Sequence, residues 1–246
     1  MCIYPIGGTN ACQSAVRILE NKSIPIIDHP SPDVTHLMLD VPSFQSDGHL
    51  RCGDSIEPIL RMLPPNIKII GGNLNTPSLS HYSRIDLLTL EDYLAKNAAI
   101  TADCAIRLVS KLMSSTFFDS PALIIGWGRI GKCLSRKLLS LGCPTTIAVR
   151  SAKDQAILNA LGYSSISAAD IPVTLHQYAL LFNTVPHTVV NSSLPPDILA
   201  VELASTPGIP KSDSIDGRGL PEKLAPVSSG KLIAETILKL IQEDFT

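Results

Sequence analysis

The chain has 246 residues, of which 45% are hydrophobic and 17% charged, and its formal net charge is −2. This length and composition are typical of a globular, well-buried protein that is large enough for two small α/β domains. Basic residues are not in excess, as they are in many nucleic-acid-binding proteins, and the longest apolar runs have the length of a strand and not that of a membrane-spanning helix. We therefore predict no nucleic-acid partner and no membrane span.

The cysteine and histidine positions predict neither disulfides nor a metal site. The six cysteines lack C-x-x-C spacing, and the six histidines form no ligand pair at helical spacing. The first residues, MCIYP, lack the basic start of a secretory signal. We expect free thiols, no bound metal and a cytoplasmic protein.

The first 95 residues alternate between short apolar runs and patterns with helical spacing. The runs predict strands at residues 2–6, 24–27, 36–41 and 67–70, and the patterns predict helices at 10–20 and 54–63. This alternation favours a parallel sheet with helices on its faces. Turns at Pro42, Ser43 and Gly71 follow strands and should open on the edge where ligands bind, so we assign these three residues to substrate binding.

A long helical pattern over residues 90–113 connects this region to the next one. Asn97 to Thr101 is a plausible internal helix start, and we assign Asn97 and Thr101 to the substrate side. Asp103 is a candidate proton acceptor for catalysis. Its alternative role is that of a carboxylate that initiates a helix.

Residues 121–151, PALIIGWGRIGKCLSRKLLSLGCPTTIAVRS, read as strand, glycine turn, helix and strand. The G-x-G-x-x-G lies where the dinucleotide fingerprint requires it, with Gly126 for the tight turn, Gly128 for approach of a pyrophosphate and Gly131 for close helix packing. The phosphates would face the helix N-terminus. The alternative is a glycine-rich turn of another α/β protein. The predicted cofactor-binding residues of this turn are Gly126, Trp127, Gly128, Arg129, Ile130 and Gly131.

The end of the second strand of this unit decides which dinucleotide binds. NAD sites place a carboxylate there, whereas an Arg accommodates the 2′-phosphate of NADP. Here the strand ends at Arg150, Ser151 and Lys153, and the first carboxylate is Asp154, in the next helix. We predict NADP, with NAD as second choice. A solvated Arg at a loop edge is the alternative.

The alternation resumes after Ser151. A helix is predicted at 154–161, a short helix or turn at 168–177, strands at 179–182 and 198–203, and a final helix at 229–243. Both strands end in turns beside the expected cofactor groove, and we assign to cofactor binding the residues Asn183, Thr184, Val185, Pro186 and Ser205. His187 follows directly and is the second catalytic candidate.

We divide the chain into an N-terminal Rossmann-like substrate or partner domain at 1–95 and a connecting helix at 96–120. A Rossmann domain for NAD(P) follows at 121–225, and a C-terminal helix at 226–246 packs back at the domain junction. The predicted fold class is α/β, with two Rossmann-like, doubly wound parallel-sheet domains.

Together the motifs resemble one known family. The series GWGRIG, AVRS, NTVP, LASTPG and GLPEKLAPVSSG, with NAAITAD before the glycines, is similar to the dipicolinate synthase A family. The resemblance runs from about residue 85 onward, and more loosely through the first domain. Departures from the pattern include Thr9, Asn10 and Ala11 in place of an acidic residue and an Arg, Ala102-Asp103-Cys104 in the connector, and Ile209 in place of a glycine.

The resemblance implies an NADP-dependent dehydrogenase that oxidises a cyclic dicarboxylate, made from aspartate semialdehyde and pyruvate, towards pyridine-2,6-dicarboxylate. It implies the two-domain architecture of 2-hydroxyacid dehydrogenases, a role related to sporulation, a homo-oligomer and a flavoprotein-like second subunit. Two alternatives stay open: reduction of a 2-oxo acid, and a non-catalytic assembly or sensor protein that binds NADP. A dicarboxylate favours a guanidinium partner, for which Arg17, Arg51 and Arg84 are candidates.

Overall fold

The computed structural model describes residues 1–191 and 193–243, and residues 244–246 of the predicted C-terminal helix lie outside it. The chain divides into two compact units, one formed by Met1–Asn97 with Pro221–Thr246 and the other by Ala98–Leu220. The final helix therefore belongs with the first unit. Among the described residues, no helix has the length and apolar character of a membrane span, and no group of three acidic, His or Cys side chains could hold a metal ion.

The first unit contains a four-stranded parallel sheet in the order β1-β2-β3-β4. Its strands are β1 Ile3–Pro5, β2 His36–Met38, β3 Lys68–Gly71 and β4 Ser83–Asp86, and its helices include α1 Asn10–Asn21 and α2 Ile56–Arg61. The apolar residues that predict these strands also form the core of the unit, and they include Leu37, Leu39 and Ile69. The strand predicted at 24–27 is wrong, because that segment makes a single parallel bridge, from Ile26 to Ile3.

The C-terminal helix α8, Pro226–Glu243, packs closely on α1. A Cβ added to Gly230 would lie 2.6 Å from the Ala11 carbonyl oxygen and 2.8 Å from the Ala15 nitrogen. These atoms belong to the α1 backbone and cannot rotate away. The absence of a side chain at Gly230 therefore allows the two helices to approach.

The connecting helix α3 runs without interruption from Glu91 to Ser110. The helix start predicted at Asn97 to Thr101 is wrong. Ala98, Ala102 and Ala105 are buried in this part of α3, and alanine is a strong helix former. The helix therefore continues through the polar residues between them. Asp103 consequently lies in the helix interior and does not initiate a helix.

The second unit contains a six-stranded parallel sheet in the order β10-β9-β8-β5-β6-β7. The strands are β5 Ala122–Ile125, β6 Thr145–Val149, β7 Ser164–Ser167, β8 Leu180–Asn183, β9 Leu199–Glu202 and β10 Ile215–Asp216, and the helices include α4 Arg129–Ser140, α5 Ala152–Ala160 and α6 Ile171–Thr174. Helix α7, Leu220–Leu224, begins at the last residue of this unit and continues into the first unit. Strand order reverses beside β5, which creates a switch point where ligands bind at the carboxyl edge. The predicted Rossmann-type fold is confirmed.

A side chain added at Gly230 tests the close packing of α8 on α1 in the first unit. Gly230→Ala should lower the free energy of unfolding by about 1–3 kcal/mol, because the overpacking at the α1 backbone outweighs the gain in helix propensity. Urea denaturation of the full chain measures this change. Ser228→Ala, at an exposed position of the same helix, is the matched control and should stay within about 0.5 kcal/mol. A Gly230→Ala protein as stable as the control would contradict the packing.

Candidate functional site

The glycine turn after β5 brings the strand and α4 into very close contact. Gly126 has φ +96°, in the left-handed region that favours glycine, and a Cβ there would lie 2.5 Å from Val185 Cγ1. A Cβ at Gly131 would lie 2.2 Å from the Gly126 carbonyl oxygen. Both positions require glycine, so the turn has the geometry that the fingerprint predicts.

The N-terminus of α4 faces open space. Gly128 is its N-cap and provides no side-chain cap hydrogen bond, and the first turn contains no acidic residue. A Cβ built on Gly128 meets nothing within 4 Å. The positive end of a twelve-residue helix that has no side-chain cap is a candidate site for a phosphate.

Trp127 fixes the glycine turn to the β6 side of the sheet. Its ring packs against the buried side chains of Ile147, Val149 and Leu158, and the Lys132 ammonium lies 4.8 Å from the ring centroid. The other two predicted residues of the turn lie in α4, where Arg129 is exposed and Ile130 is half-buried.

The end of β6 presents positive charge to solvent. Arg150 and Lys153 are exposed, and neither has an ion-pair partner within the described part of the chain. The Ser151 hydroxyl oxygen caps α5 by accepting from the Asp154 N–H at 3.3 Å, which leaves its O–H available to donate. Asp154 lies in the first turn of α5. No carboxylate therefore stands between the end of β6 and the start of α5.

The turn after β8 lies against the glycine turn. Thr184 donates both its N–H and its hydroxyl to the Ile125 carbonyl oxygen, at 3.0 Å and 2.8 Å. Val185 is the residue that a side chain at Gly126 would strike. Of the residues predicted in this turn, Pro186 is exposed and Thr184 and Val185 are half-buried. Thr184 and Val185 lie directly beside the glycine turn.

Glu202, at the end of β9, was not among the predicted site residues, but it connects the turns that follow β8 and β9. Its carboxylate is 3% exposed and accepts hydrogen bonds from three backbone N–H groups, those of Ala204 at 2.9 Å, Gly208 at 2.7 Å and Ile209 at 3.1 Å. The Asn183 amide nitrogen lies 2.9 and 3.0 Å from its two oxygens. The available signal was an acidic residue inside an otherwise apolar predicted strand.

Asn183 is fully buried and its amide serves this network. Besides Glu202, it donates to the Val185 carbonyl oxygen at 3.0 Å and accepts from the Val185 N–H at 3.1 Å. Its predicted side-chain contact with a cofactor stays a prediction, and the structure gives the amide an organising role in the turn. His187 is half-exposed in the following loop, and Ser205 is exposed.

A cavity of about 240 Å³ lies beyond Glu202, at the carboxyl edge of β9 and β10. Glu202 and Pro207 form one part of its wall, and Lys211, Asp216 and Arg218 contribute charges of both signs. The Arg218 guanidinium binds the Asp216 carboxylate through two nitrogens, at 2.8 and 2.7 Å.

Asp103, the first catalytic candidate, pairs with a lysine. Its carboxylate lies 2.7 Å from the Lys137 ammonium, on α4. Lys137 is eight residues after the first residue of α4, which corresponds to ~12 Å along the helix axis. The contact joins α3 to α4, well away from the N-terminus of α4, and a role in proton transfer stays a prediction.

In the first unit, an internal carboxylate occupies the turn after β1. Asp40 accepts from the N–H groups of Gly8 and Thr9, at 2.9 and 3.1 Å, and from the Thr9 hydroxyl. It is 3% exposed, and a Cβ on Gly7 would lie 2.7 Å from it. The N–H groups of Gly8 and Thr9 in this turn are therefore already paired with an internal anion.

The predicted substrate residues of the first unit form two neighbouring turns. The buried Ser43 hydroxyl donates to the Asp40 carbonyl oxygen at 2.7 Å and accepts from the Gly72 N–H at 3.0 Å. A Cβ on Gly71 would lie 2.4 Å from that hydroxyl oxygen, while Pro42 is exposed. Ser43 thus ties the turns together, and Pro42 is the member that faces solvent.

Asn97 and Thr101 lie one turn apart on α3, half-buried and buried respectively. The three arginine candidates differ in their surroundings. Arg51 pairs with Glu222 through both terminal nitrogens, and Arg84 donates to the Leu74 carbonyl oxygen at 3.0 Å. Arg17 is exposed on α1.

Comparison with known proteins identifies relatives of one kind. No family model matches the chain. It is 25% identical over 171 residues to dipicolinate synthase A of Bacillus subtilis (strain 168), a match that covers 65% of this chain and 58% of that protein. The matched segment therefore spans less than two thirds of the relative's length. The predicted resemblance to dipicolinate synthase A is confirmed, and the chain is a divergent relative.

Solved structures show the same fold. The chain aligns with the structure of dipicolinate synthase A from Bacillus subtilis at a TM-score of 0.83 and 21% identity, covering 99% of this chain and 96% of that one. For dipicolinate synthase A from Bacillus halodurans the TM-score is 0.81 at 18% identity, with 97% and 96% covered. For an L-alanine dehydrogenase it is 0.68 at 10% identity, with 97% and 80% covered.

Thiol reactivity tests the closed turn of the first unit. Burial and the neighbouring Asp40 carboxylate raise the pKa of the Cys12 thiol to about 12, whereas Cys52 is exposed. Because the thiolate is the reactive form, alkylation at pH 8 should modify Cys12 at least roughly a hundredfold more slowly than Cys52. Mass spectrometry of peptides measures both rates. In urea the two rates should converge, and equal rates in the folded protein would contradict the burial of Cys12.

Proposed function

We propose that this chain is an NADP-dependent oxidoreductase of the dipicolinate synthase A type, which oxidises a cyclic dicarboxylate. The observation that carries the proposal is the open N-terminus of α4 at Gly128, whose N–H groups have no side-chain cap. In a doubly wound sheet this end of the helix, at the switch point beside β5, is where a pyrophosphate binds.

The charge at the end of β6 supports NADP over NAD. A 2′-phosphate needs cations, and Arg150 and Lys153 are exposed there, with the Ser151 hydroxyl between them. NAD binding would instead favour a carboxylate at this position, and the nearest one, Asp154, lies in the first turn of α5.

The nicotinamide ring supplies hydride acceptance when the cofactor is bound. The residues of this chain bind and orient it: the α4 turn holds the pyrophosphate, and Thr184 and Val185 border the adjoining turn. Pro42, Ser43, Gly71, Asn97 and Thr101 are the proposed substrate residues. Asp103 and His187 are the candidates for moving the substrate proton. A cytoplasmic homo-oligomer with a flavoprotein-like second subunit completes the proposal.

One observation favours a second candidate, an NADP-binding protein without turnover. Asp40 occupies the turn of the first unit, where Thr9, Asn10 and Ala11 replace the residues of the family pattern. Of the arginines considered for a dicarboxylate, Arg51 is already paired with Glu222. Such a protein would bind the cofactor and assemble with an active partner.

Turnover distinguishes the two candidates. The chain is incubated with NADP and the condensation product of aspartate semialdehyde and pyruvate, and NADPH absorbance is followed. The dehydrogenase forms NADPH and pyridine-2,6-dicarboxylate, whereas the sensor binds NADP without forming either. In a parallel thermal-shift assay, a hundredfold excess of NADP over its Kd should stabilise the fold by about 2.7 kcal/mol, and pyridine-2,6-dicarboxylate should add to this. Absence of any NADP-dependent shift would refute both candidates.

Arg150→Ala tests the choice of dinucleotide. Loss of a charge-assisted contact to the 2′-phosphate should weaken NADP binding about tenfold or more, and NAD binding should change little. Isothermal titration with both dinucleotides measures the two effects. Arg136→Ala removes an exposed arginine from the middle of α4 and is the matched control. Equal weakening of NADP and NAD, or no weakening, would contradict the role of Arg150.

A further inference from the structure

We propose that Glu202 is a positioning residue for the nicotinamide half of the cofactor. Its buried carboxylate fixes the two loops at the carboxyl edge of β8 and β9, namely the β8 loop, residues 183–187, and the β9 loop, residues 203–209. This inference rests on the proposed function, because it assumes that a nicotinamide dinucleotide occupies the switch point.

The hydrogen bonds of Glu202 reach both loops. On the β9 loop it accepts from the N–H groups of Ala204, Gly208 and Ile209, at 2.7–3.1 Å. On the β8 loop it accepts from the Asn183 amide, which also holds the Val185 carbonyl oxygen at 3.0 Å. A single carboxylate thus determines the path of both loops.

The two loops also interlock through their backbones. A Cβ on Gly208 would lie 2.3 Å from the His187 carbonyl oxygen and 2.6 Å from the Asn183 amide nitrogen. The N–H groups of Val189 and Val190 donate to the Gly208 carbonyl oxygen, at 2.9 and 3.2 Å. Loss of the carboxylate would therefore release the β9 loop together with the residues that follow the β8 loop.

Burying a carboxylate carries a desolvation cost, and an apolar side chain could fill the same space without that cost. The carboxylate instead accepts hydrogen bonds from four donors, three backbone N–H groups and the Asn183 amide, and this holds the two loops in one arrangement. These loops lie on the side of the switch point away from β6, and Arg150, Ser151 and Lys153 share no hydrogen bond with Glu202. The network should therefore affect the nicotinamide half and leave the adenine half unchanged.

The test compares NADP with 2′-phosphoadenosine diphosphoribose, which lacks the nicotinamide ring. Glu202→Gln keeps the shape of the side chain but turns an amide N–H₂ towards backbone N–H donors. We expect its Kd for NADP to rise about tenfold, while the Kd for the fragment stays within roughly twofold of the parent value. Isothermal titration gives both constants for the full chain.

Asn183→Ala is the milder second variant, because it leaves the three backbone donors on Glu202, and the same criterion applies to it if Glu202→Gln does not fold. Glu235→Gln, at an exposed position of α8, is the matched control and should change neither constant. Equal weakening of NADP and fragment, or no weakening of either, would overturn the positioning role. If the parent chain binds neither compound, the proposed function fails instead.

Discussion

The close approach of α4 to the turn after β5 is the contact on which the proposed site depends. Because Gly131 has no side chain, the first turn of α4 lies against the Gly126 carbonyl oxygen, where a Cβ would come within 2.2 Å. The helix N-terminus is thereby held at the carboxyl edge of the sheet with its N–H groups uncapped. The turn after β8 is fastened to the same point through Thr184, and Glu202 fastens the turn after β9 to that of β8.

The two units differ in what occupies the turn between their first strand and the helix that follows it. Both have a strand, a glycine-containing turn and a helix N-terminus, but the first unit fills its turn with Asp40 and caps α1 with Thr9. The second unit leaves Gly128 open. An internal carboxylate satisfies N–H groups as a phosphate would, so the turn of the first unit is less suited to an external anion than that of the second unit. This contrast supports the proposal that the second unit binds the dinucleotide.

The sequence predicted the glycine turn and the α/β fold because these depend on local rules: glycines where the backbone bends, apolar runs where strands are buried. It missed β4, β7 and β10, whose sequences are SRID, SSIS and ID. These segments are short and largely polar. They form strands because they pair with neighbouring strands, and their own hydrophobic pattern does not predict this. Asp40 and Glu202 were missed for a related reason. Their hydrogen-bond partners are separated from them in sequence or lie in irregular loops, and the only signal was an acidic residue within each of the apolar strands predicted at 36–41 and 198–203.

The central claim is that a nicotinamide dinucleotide binds at the Gly126–Gly131 turn, and the single tryptophan of the chain, Trp127, lies within that turn. The most direct measurement is a titration of Trp127 fluorescence with NADPH. We predict a saturable loss of tryptophan emission, a matching rise in NADPH emission by energy transfer, and reversal of both by excess NADP. Tryptophan emission that does not change across the titration, or a loss that does not saturate, would contradict binding at this turn.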